Sequence, residues 1–143
     1  MENLRLETNG VWYLNSDKHY TSVEVLKFLY SDAYANGKSF SRCCLHANKN
    51  SKLMVMFLAF VNSYVFPAHR HLWKDESYII LDGNCHYIEF LDDGSKSYQQ
   101  ELRIGDVFYN TNRTYHQLVP LCEKLGLIEL TTGPMVQKPL EFL

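Results

Sequence analysis

The sequence predicts an all-β chain, folded as a barrel or sandwich, with one helix outside it. From residue 41 to residue 131 apolar side chains recur with the period of a strand, in short runs separated by turn residues. Aromatic residues make up 14% of the chain, and these side chains favour strands and pocket walls. Helical spacing is carried by one stretch, residues 21 to 36. The 143 residues, 46% hydrophobic and 21% charged, exclude a disordered or collagen-like chain and suit one core. The expectation is a single domain over residues 1–143, with an N-terminal strand and helix as an extension to the barrel.

In chain order, Val11-Trp12-Tyr13-Leu14 reads as a short strand. Thr21 and Glu24 then form a capping box, Val23, Leu26, Leu29, Tyr30 and Ala33 share one face, and Gly37 offers a stop. Candidate strands follow at 41–46, 53–61, 64–71, 76–82, 85–91, 97–102, 107–110, 114–119 and 125–131. The strands on either side of Asp82-Gly83-Asn84 are expected to pair as a hairpin, and Asp92 and Asp93 to sit in a turn. Leu53 to Val61 is apolar at every position, so a strand there buries both faces. A partner subunit or the amphipathic helix must cover its outside, which predicts a homodimer. The tail from Gly133 to Leu143 holds two prolines and is expected to run as surface coil.

Fourteen Lys and Arg against sixteen Asp and Glu leave a formal charge of −2 and no basic block, which argues against nucleic acid as a partner. No apolar run approaches the roughly twenty residues of a membrane helix, and the N-terminus shows no secretory signal. Cys43, Cys44, Cys85 and Cys122 lack metal-binding spacing and are expected to be reduced thiols. A cytoplasmic protein without membrane contact is the consistent expectation.

The chemistry gathers around His69-Arg70-His71. On a strand, residues two apart share a face, so both imidazoles can point at one spot. A turn over Leu72 to Asp75 would return Glu76 beside them, and His116 could join from a distant strand. Three imidazoles and a carboxylate suit one divalent transition metal, Zn, Fe, Mn, Ni or Cu, with positions left open for a ligand. The alternative is a set of structural polar residues on a solvated strand pair.

The spacing S63-x5-H69-x-H71-x4-E76-x6-G83 resembles the first motif of the cupin superfamily, with Ser63 in place of its first glycine. The second motif is recognisable in Gly105, Thr111, Arg113, His116 and Pro120, of which Gly105 and His116 match. Residues 84 to 104 between the motifs accommodate a hairpin and a half strand. Several further features extend the resemblance: the helix, Ser41 to His46, the P-x-H-R-H stretch, Asp92-Asp93-Gly94 and Thr132-Gly133-Pro134. Together they are similar to the WbuC family of cupin fold metalloproteins over roughly residues 21 to 135. The resemblance implies an all-β cupin fold (a double-stranded β-helix or jelly-roll barrel) with one N-terminal α-helix packed outside. It also implies a metal within the barrel and an association with bacterial surface-polysaccharide (O-antigen) synthesis.

His69, His71, Glu76 and His116 are therefore the expected metal ligands. The candidates for substrate binding are His46, Tyr78, Tyr109, Arg113 and Tyr115. His46 is divided between pocket and structural roles, Tyr78 between pocket wall and core. Tyr109, Arg113 and Tyr115 are placed near the mouth, and Arg70 is expected on the face opposite the ligands. Two functional classes follow, an enzyme acting on a sugar or sugar nucleotide and a non-catalytic cupin that binds a small, possibly carbohydrate, ligand. A metal-free nucleotide-sugar ketoisomerase is a third reading, which the intact ligand set disfavours.

Overall fold

The computed structural model describes residues 4–14, 20–110, 113–135 and 140–143. Its strands form two facing sheets. The larger, in spatial order, holds β1 (Leu4–Thr8), β2 (Val11–Leu14), β3 (Phe40–Cys44), β4 (Leu53–Phe60), β11 (Leu125–Thr132), β6 (Glu76–Asp82) and β9 (Val107–Asn110). The smaller holds β12 (Glu141–Phe142), β5 (His69–Arg70), β10 (Tyr115–Pro120), β7 (Cys85–Phe90) and β8 (Lys96–Leu102). All pairings are antiparallel except β2 with β3. The expected all-β architecture with one external helix is the one observed.

Helix α1 (Ser22–Ala35) starts where its cap says it should. The Thr21 hydroxyl accepts from the Glu24 N–H, and the Glu24 carboxylate accepts from the Thr21 N–H at 2.8 Å. Val25, Leu26, Leu29, Tyr30 and Ala33 form its buried face and pack on Cys43, Phe57, Ala59 and Val61. The even positions of β4, Leu58 and Phe60 among them, face the barrel interior with Tyr78, Ile80, Tyr87, Leu125 and Leu127. The continuous apolar run of β4 thus has two covers, the helix outside and the core inside. The helix supplies what the dimer argument demanded of a partner.

Where β11 passes under the helix it carries Gly126, and a Cβ there would stand 2.7 Å from the Tyr30 hydroxyl and 2.8 Å from a Leu26 methyl. Gly126→Ala is expected to displace the Tyr30 hydroxyl and the Leu26 methyls and cost about 1–3 kcal/mol. A urea titration reads this as a lower midpoint with an unchanged slope, and an unchanged midpoint would contradict it.

Three sequence expectations are corrected. Asp82-Gly83-Asn84 does not close a hairpin, because β6 pairs with β11 and β9 while β7 pairs with β10 and β8. The turn instead crosses between sheets. Gly83 (φ +76°) makes the crossing possible, since a Cβ there would lie 2.4 Å from the Lys124 carbonyl and 2.7 Å from Cys122 Sγ. The strand expected at 64–71 shrinks to His69–Arg70. Asn62 and Ser63 adopt φ of 57° and 52°, which ends the extended path after β4, and Pro67 has no N–H to offer a ladder. The tail is not all coil, for Glu141–Phe142 pairs with β5. Residues 136–139 of that tail, and Thr111 of the second motif, lie outside the described residues.

β1 falls outside the expected strands; it is a short edge strand with two apolar residues, of which Leu4 packs on the helix-side core and Leu6 is exposed. Cys43, Cys44 and Cys85 are buried free thiols and Cys122 is partly buried. Burial pushes Cys43 and Cys85 up to about 12. Among the described residues no helix is long and apolar enough to cross a membrane.

Candidate metal centre

Sheet register brings the four expected ligands together. His69 on β5 stands directly opposite His116 on β10, with ring centroids 4.6 Å apart. His71 follows on the same side, 5.0 Å from the His69 ring. Glu76 opens β6, whose alternate residues Glu76, Tyr78 and Ile80 are all buried. The potential donor atoms of His69, His71, Glu76 and His116 all lie within 4.8 Å of one another.

Their hydrogen bonds decide which atoms face the centre. His69 Nδ1 lies 2.9 Å from the Pro67 carbonyl and His116 Nδ1 lies 3.1 Å from the Thr114 carbonyl. A carbonyl oxygen accepts only, so His69 Nδ1 donates and its Nε2 is left for the centre. At His116 Nδ1 the Thr114 carbonyl calls for a donor and the Asn110 amide nitrogen, 2.9 Å away, for an acceptor. His116 Nε2 and His71 Nε2 then each face a Glu76 carboxylate oxygen at 3.1 Å. A ring N–H at either position donates to the carboxylate, and a bare lone pair there is accommodated when a metal cation lies between. The donor set and its orientation fit a metal site. His71 Nδ1 is buried and has no hydrogen-bond partner among the described residues.

Two residues absent from the sequence reading complete the electrostatics. Lys74 Nζ sits 2.6 Å from Glu76 Oε1 and 3.5 Å from Glu129 Oε1. Tyr78 donates to Glu76 Oε2 at 2.9 Å. Burial by itself would raise Glu76, but hydrogen bonds from His116 and His71 and the Lys74 charge hold its carboxyl well below the usual range. Glu129 is raised, by burial first, against the opposing pull of Lys74. Tyr78 is raised well above 10 by burial and by Glu76, so it stays a neutral donor.

These groups line one side of a cavity of about 400 Å³ between the sheets. Its other walls are mostly apolar, with Met54, Met56 and Leu58 from β4 and Leu118 and Pro120 from β10. Phe40, Phe60 and Tyr64 cluster with centroids 5.8 to 6.4 Å apart, and Phe66 joins them to the His69 ring at 5.1 Å. Glu129 was legible as a charge within Leu127-Ile128-Glu129-Leu130, on the inward parity of β11 with Leu125 and Leu127. Lys74 lay in a loop whose fold the spacing did not specify.

The five substrate-binding candidates separate. Tyr78 lines the cavity. Arg113 borders a small space on the other side of the ligands, shared with His71, Lys74, Glu76, Asn110 and His116. His46 does not line the cavity; it packs edge-on against Tyr13 at 5.6 Å, with Nδ1 at the Val55 backbone. Tyr109 projects from the edge strand β9 and is 62% exposed. Tyr115 lies beneath the Arg70 guanidinium, 4.4 Å from ring centroid to Cζ, on the face of β10 away from His116. Arg70 itself bonds Glu141 at 2.6 Å and Asp92 at 2.9 Å, tying β12 and the 92–94 turn to β5.

Burial depresses His69 to about 4 from 6.5, with the neighbouring His116 and His71 adding to the effect and the Pro67 carbonyl opposing it. The unfolded chain therefore takes up a proton near pH 6.5 that the metal-free folded chain refuses until about pH 4. Stability is full above the unfolded value and is lost as pH falls through that window. In chelator, the unfolding free energy is expected to drop by about 2 kcal/mol between pH 7 and pH 5 from this group. A urea series at the two pH values checks it, and equal midpoints would contradict it.

Several solved structures share the fold. A cupin 2 conserved barrel domain protein from Rhodopseudomonas palustris superposes with TM-score 0.58 at 15% identity, covering 72% of this chain and 66% of that one. KdgF from Halomonas sp. gives 0.54 at 23% identity, over 69% of this chain and 82% of that one. Bacillus subtilis oxalate decarboxylase, a protein with Mn(II) centres, gives 0.54 at 17% identity, over 65% and 24%. This chain thus spans about a quarter of the decarboxylase. At such identities the likeness concerns architecture, and that architecture is the all-β cupin barrel with one helix. No curated protein matches the sequence. One family profile matches residues 22–102, more than half of the chain, from the first turn of α1 to the end of β8, and the chain therefore belongs to the family described as Domain of unknown function (DUF6016).

Proposed function

We propose that this chain is a metal-dependent cupin of the cytoplasm, one domain over residues 1–143. His69, His71, Glu76 and His116 would hold one divalent transition metal ion, Zn, Fe, Mn, Ni or Cu. The observation that carries this reading is that the potential donor atoms of three imidazoles and one buried carboxylate lie within 4.8 Å of one another, with two Nε2 atoms 3.1 Å from Glu76 oxygens. When bound, such an ion supplies a Lewis acid with open positions at which a small molecule is polarised. The chain's own groups do the rest: Tyr78 holds Glu76 by a hydrogen bond, Lys74 places a positive charge at the same carboxylate, and the apolar walls exclude water.

The similarity to the WbuC family supports a sugar or sugar nucleotide of bacterial surface-polysaccharide synthesis as the small molecule, and the Phe40–Phe60–Tyr64 cluster offers rings a stacking face. A homodimer remains part of the proposal. It now rests on the exposed Ile104, Val107 and Tyr109 at the β9 edge, because α1 covers β4. The non-catalytic binding module shares the whole site and differs only in turnover. The buried ligand set speaks against the metal-free ketoisomerase.

The experiment is turnover of a panel of sugars and sugar nucleotides, followed before and after chelation. Product formation that stops with chelator and returns with metal is the expected result. Turnover untouched by chelation would overturn the metal-dependent reading, and saturable binding without product would favour the module.

A further inference from the structure

The metal reading, on which this inference rests, leaves the cavity with a charge imbalance. Among the described residues, the formally charged side chains that line it are Arg42, Lys74, Glu76 and Glu129, two cations against two carboxylates. Lys74 bridges Glu76 and Glu129 in the metal-free chain, and its side chain is only 12% exposed; a metal on Glu76 would loosen that pairing. Arg42 Nε is buried and makes no hydrogen bond to a described residue. A divalent ion on the four ligands would engage Glu76 and add two positive charges that no lining side chain offsets. Buried charge without a counter-charge costs several kcal/mol per ion, so a ligand that brings negative charge is favoured over a neutral one.

The remaining walls say what else that ligand carries. Phe40, Met54, Met56, Leu58, Phe60 and Phe66 present no hydrogen-bonding side-chain group except the weak acceptors of the two thioethers, and Tyr64, Trp73 and Thr131 add two hydroxyls and an indole N–H to the lining. A body rich in hydroxyls would find few partners on the Phe40–Phe66 wall for the water it loses, whereas an apolar or aromatic body gains by burial. Phe66, packed on both Phe40 and His69, makes the apolar wall continuous with the ligand cluster.

We propose that the cavity takes a small carboxylic acid with an apolar or aromatic body, its carboxylate at the metal side where Lys74 and Arg42 supply counter-charge and its body against the Phe40–Phe66 wall. This keeps the metal reading and departs from the sugar reading on the small molecule, for an uncharged sugar is the poorer occupant.

The test uses the full chain loaded with Co(II), whose visible absorption reports coordination. The probes are 3-phenyllactate, its methyl ester, glucuronate and glucose, each titrated by calorimetry. Phenyllactate is expected to bind at least tenfold more tightly than its ester and than either sugar. Lys74→Met and Arg42→Met should each weaken phenyllactate at least fivefold while Co(II) stoichiometry stays near one. An ester bound as tightly as the acid overturns the proposal without any variant, and so do variants that leave phenyllactate affinity unchanged. Glucuronate bound more tightly than phenyllactate overturns the apolar body. A wild-type chain that takes up no Co(II) refutes the metal reading and this inference together, whereas Co(II) uptake without preference for the acid refutes this inference alone.

Discussion

His116→Ala is expected to lower metal affinity by two orders of magnitude or more while the barrel stays folded. His116 and His69 face each other across the β5–β10 pair, so the substitution removes the donor contributed from farthest along the chain and leaves His69 and His71 in place. With three donors the ion loses one bond and Glu76 loses the imidazole beside its Oε2. The core around Tyr78, Ile80, Leu125 and Leu127 does not depend on this side chain. Competition against a chromophoric chelator measures the affinity, and far-ultraviolet circular dichroism checks the fold. A variant that binds as tightly as the parent would remove His116 from the site.

Lys74→Met is expected to act in opposite directions on the two forms of the protein. In the metal-free chain the ammonium neutralises Glu76 from 2.6 Å, and its loss leaves a buried carboxylate short of a partner, at a cost of about 2–3 kcal/mol. A metal ion meets the same ammonium as a like charge and a rival for Glu76. Metal affinity should therefore rise about tenfold in the variant. Glu129→Gln removes the other carboxylate in reach of Lys74 and is expected to weaken metal binding. Unfolding titrations with chelator and with saturating metal read both effects. Lower stability in both forms, with metal affinity unchanged, would mean that Lys74 is only a structural ion-pair partner.

The ligand cluster was legible because its information is local and periodic. His69 and His71 share a face by strand parity, and Glu76 returns after a turn of fixed length. The loops were harder to read, and the two departures from the cupin motifs show why. Where the family pattern has glycine, this chain has Ser63 and Arg113, yet both keep left-handed backbone, with φ of 52° and 53°. Ser63 is held there by its hydroxyl, which donates to the Cys122 carbonyl at 3.1 Å, and by its N–H to Glu123. A conformation costing about 1–2 kcal/mol is thus imposed by tertiary contacts that no single-residue propensity records. The same limit applies to Asp82-Gly83-Asn84. Its composition is that of a hairpin turn, and only the packing of Gly83 on the Lys124 carbonyl shows that it joins two sheets. The family resemblance puts His46 at the pocket and nearness to the second motif puts Tyr115 there, and sheet geometry turns both elsewhere. Lys74 and Glu129 belong to no motif, and their role emerges only once β6 and β11 lie side by side.

The central claim is that a metal ion occupies the His69–His71–Glu76–His116 cluster. The most direct measurement is a crystal structure of protein purified without an affinity tag or added metal, with anomalous scattering collected at the absorption edges of the candidate ions. The account predicts one anomalous peak within about 2.0–2.2 Å of the three imidazole nitrogens and a Glu76 oxygen, at close to full occupancy. Well-ordered imidazoles hydrogen-bonded directly to Glu76, with no peak between them and no metal in the bulk analysis, would contradict it.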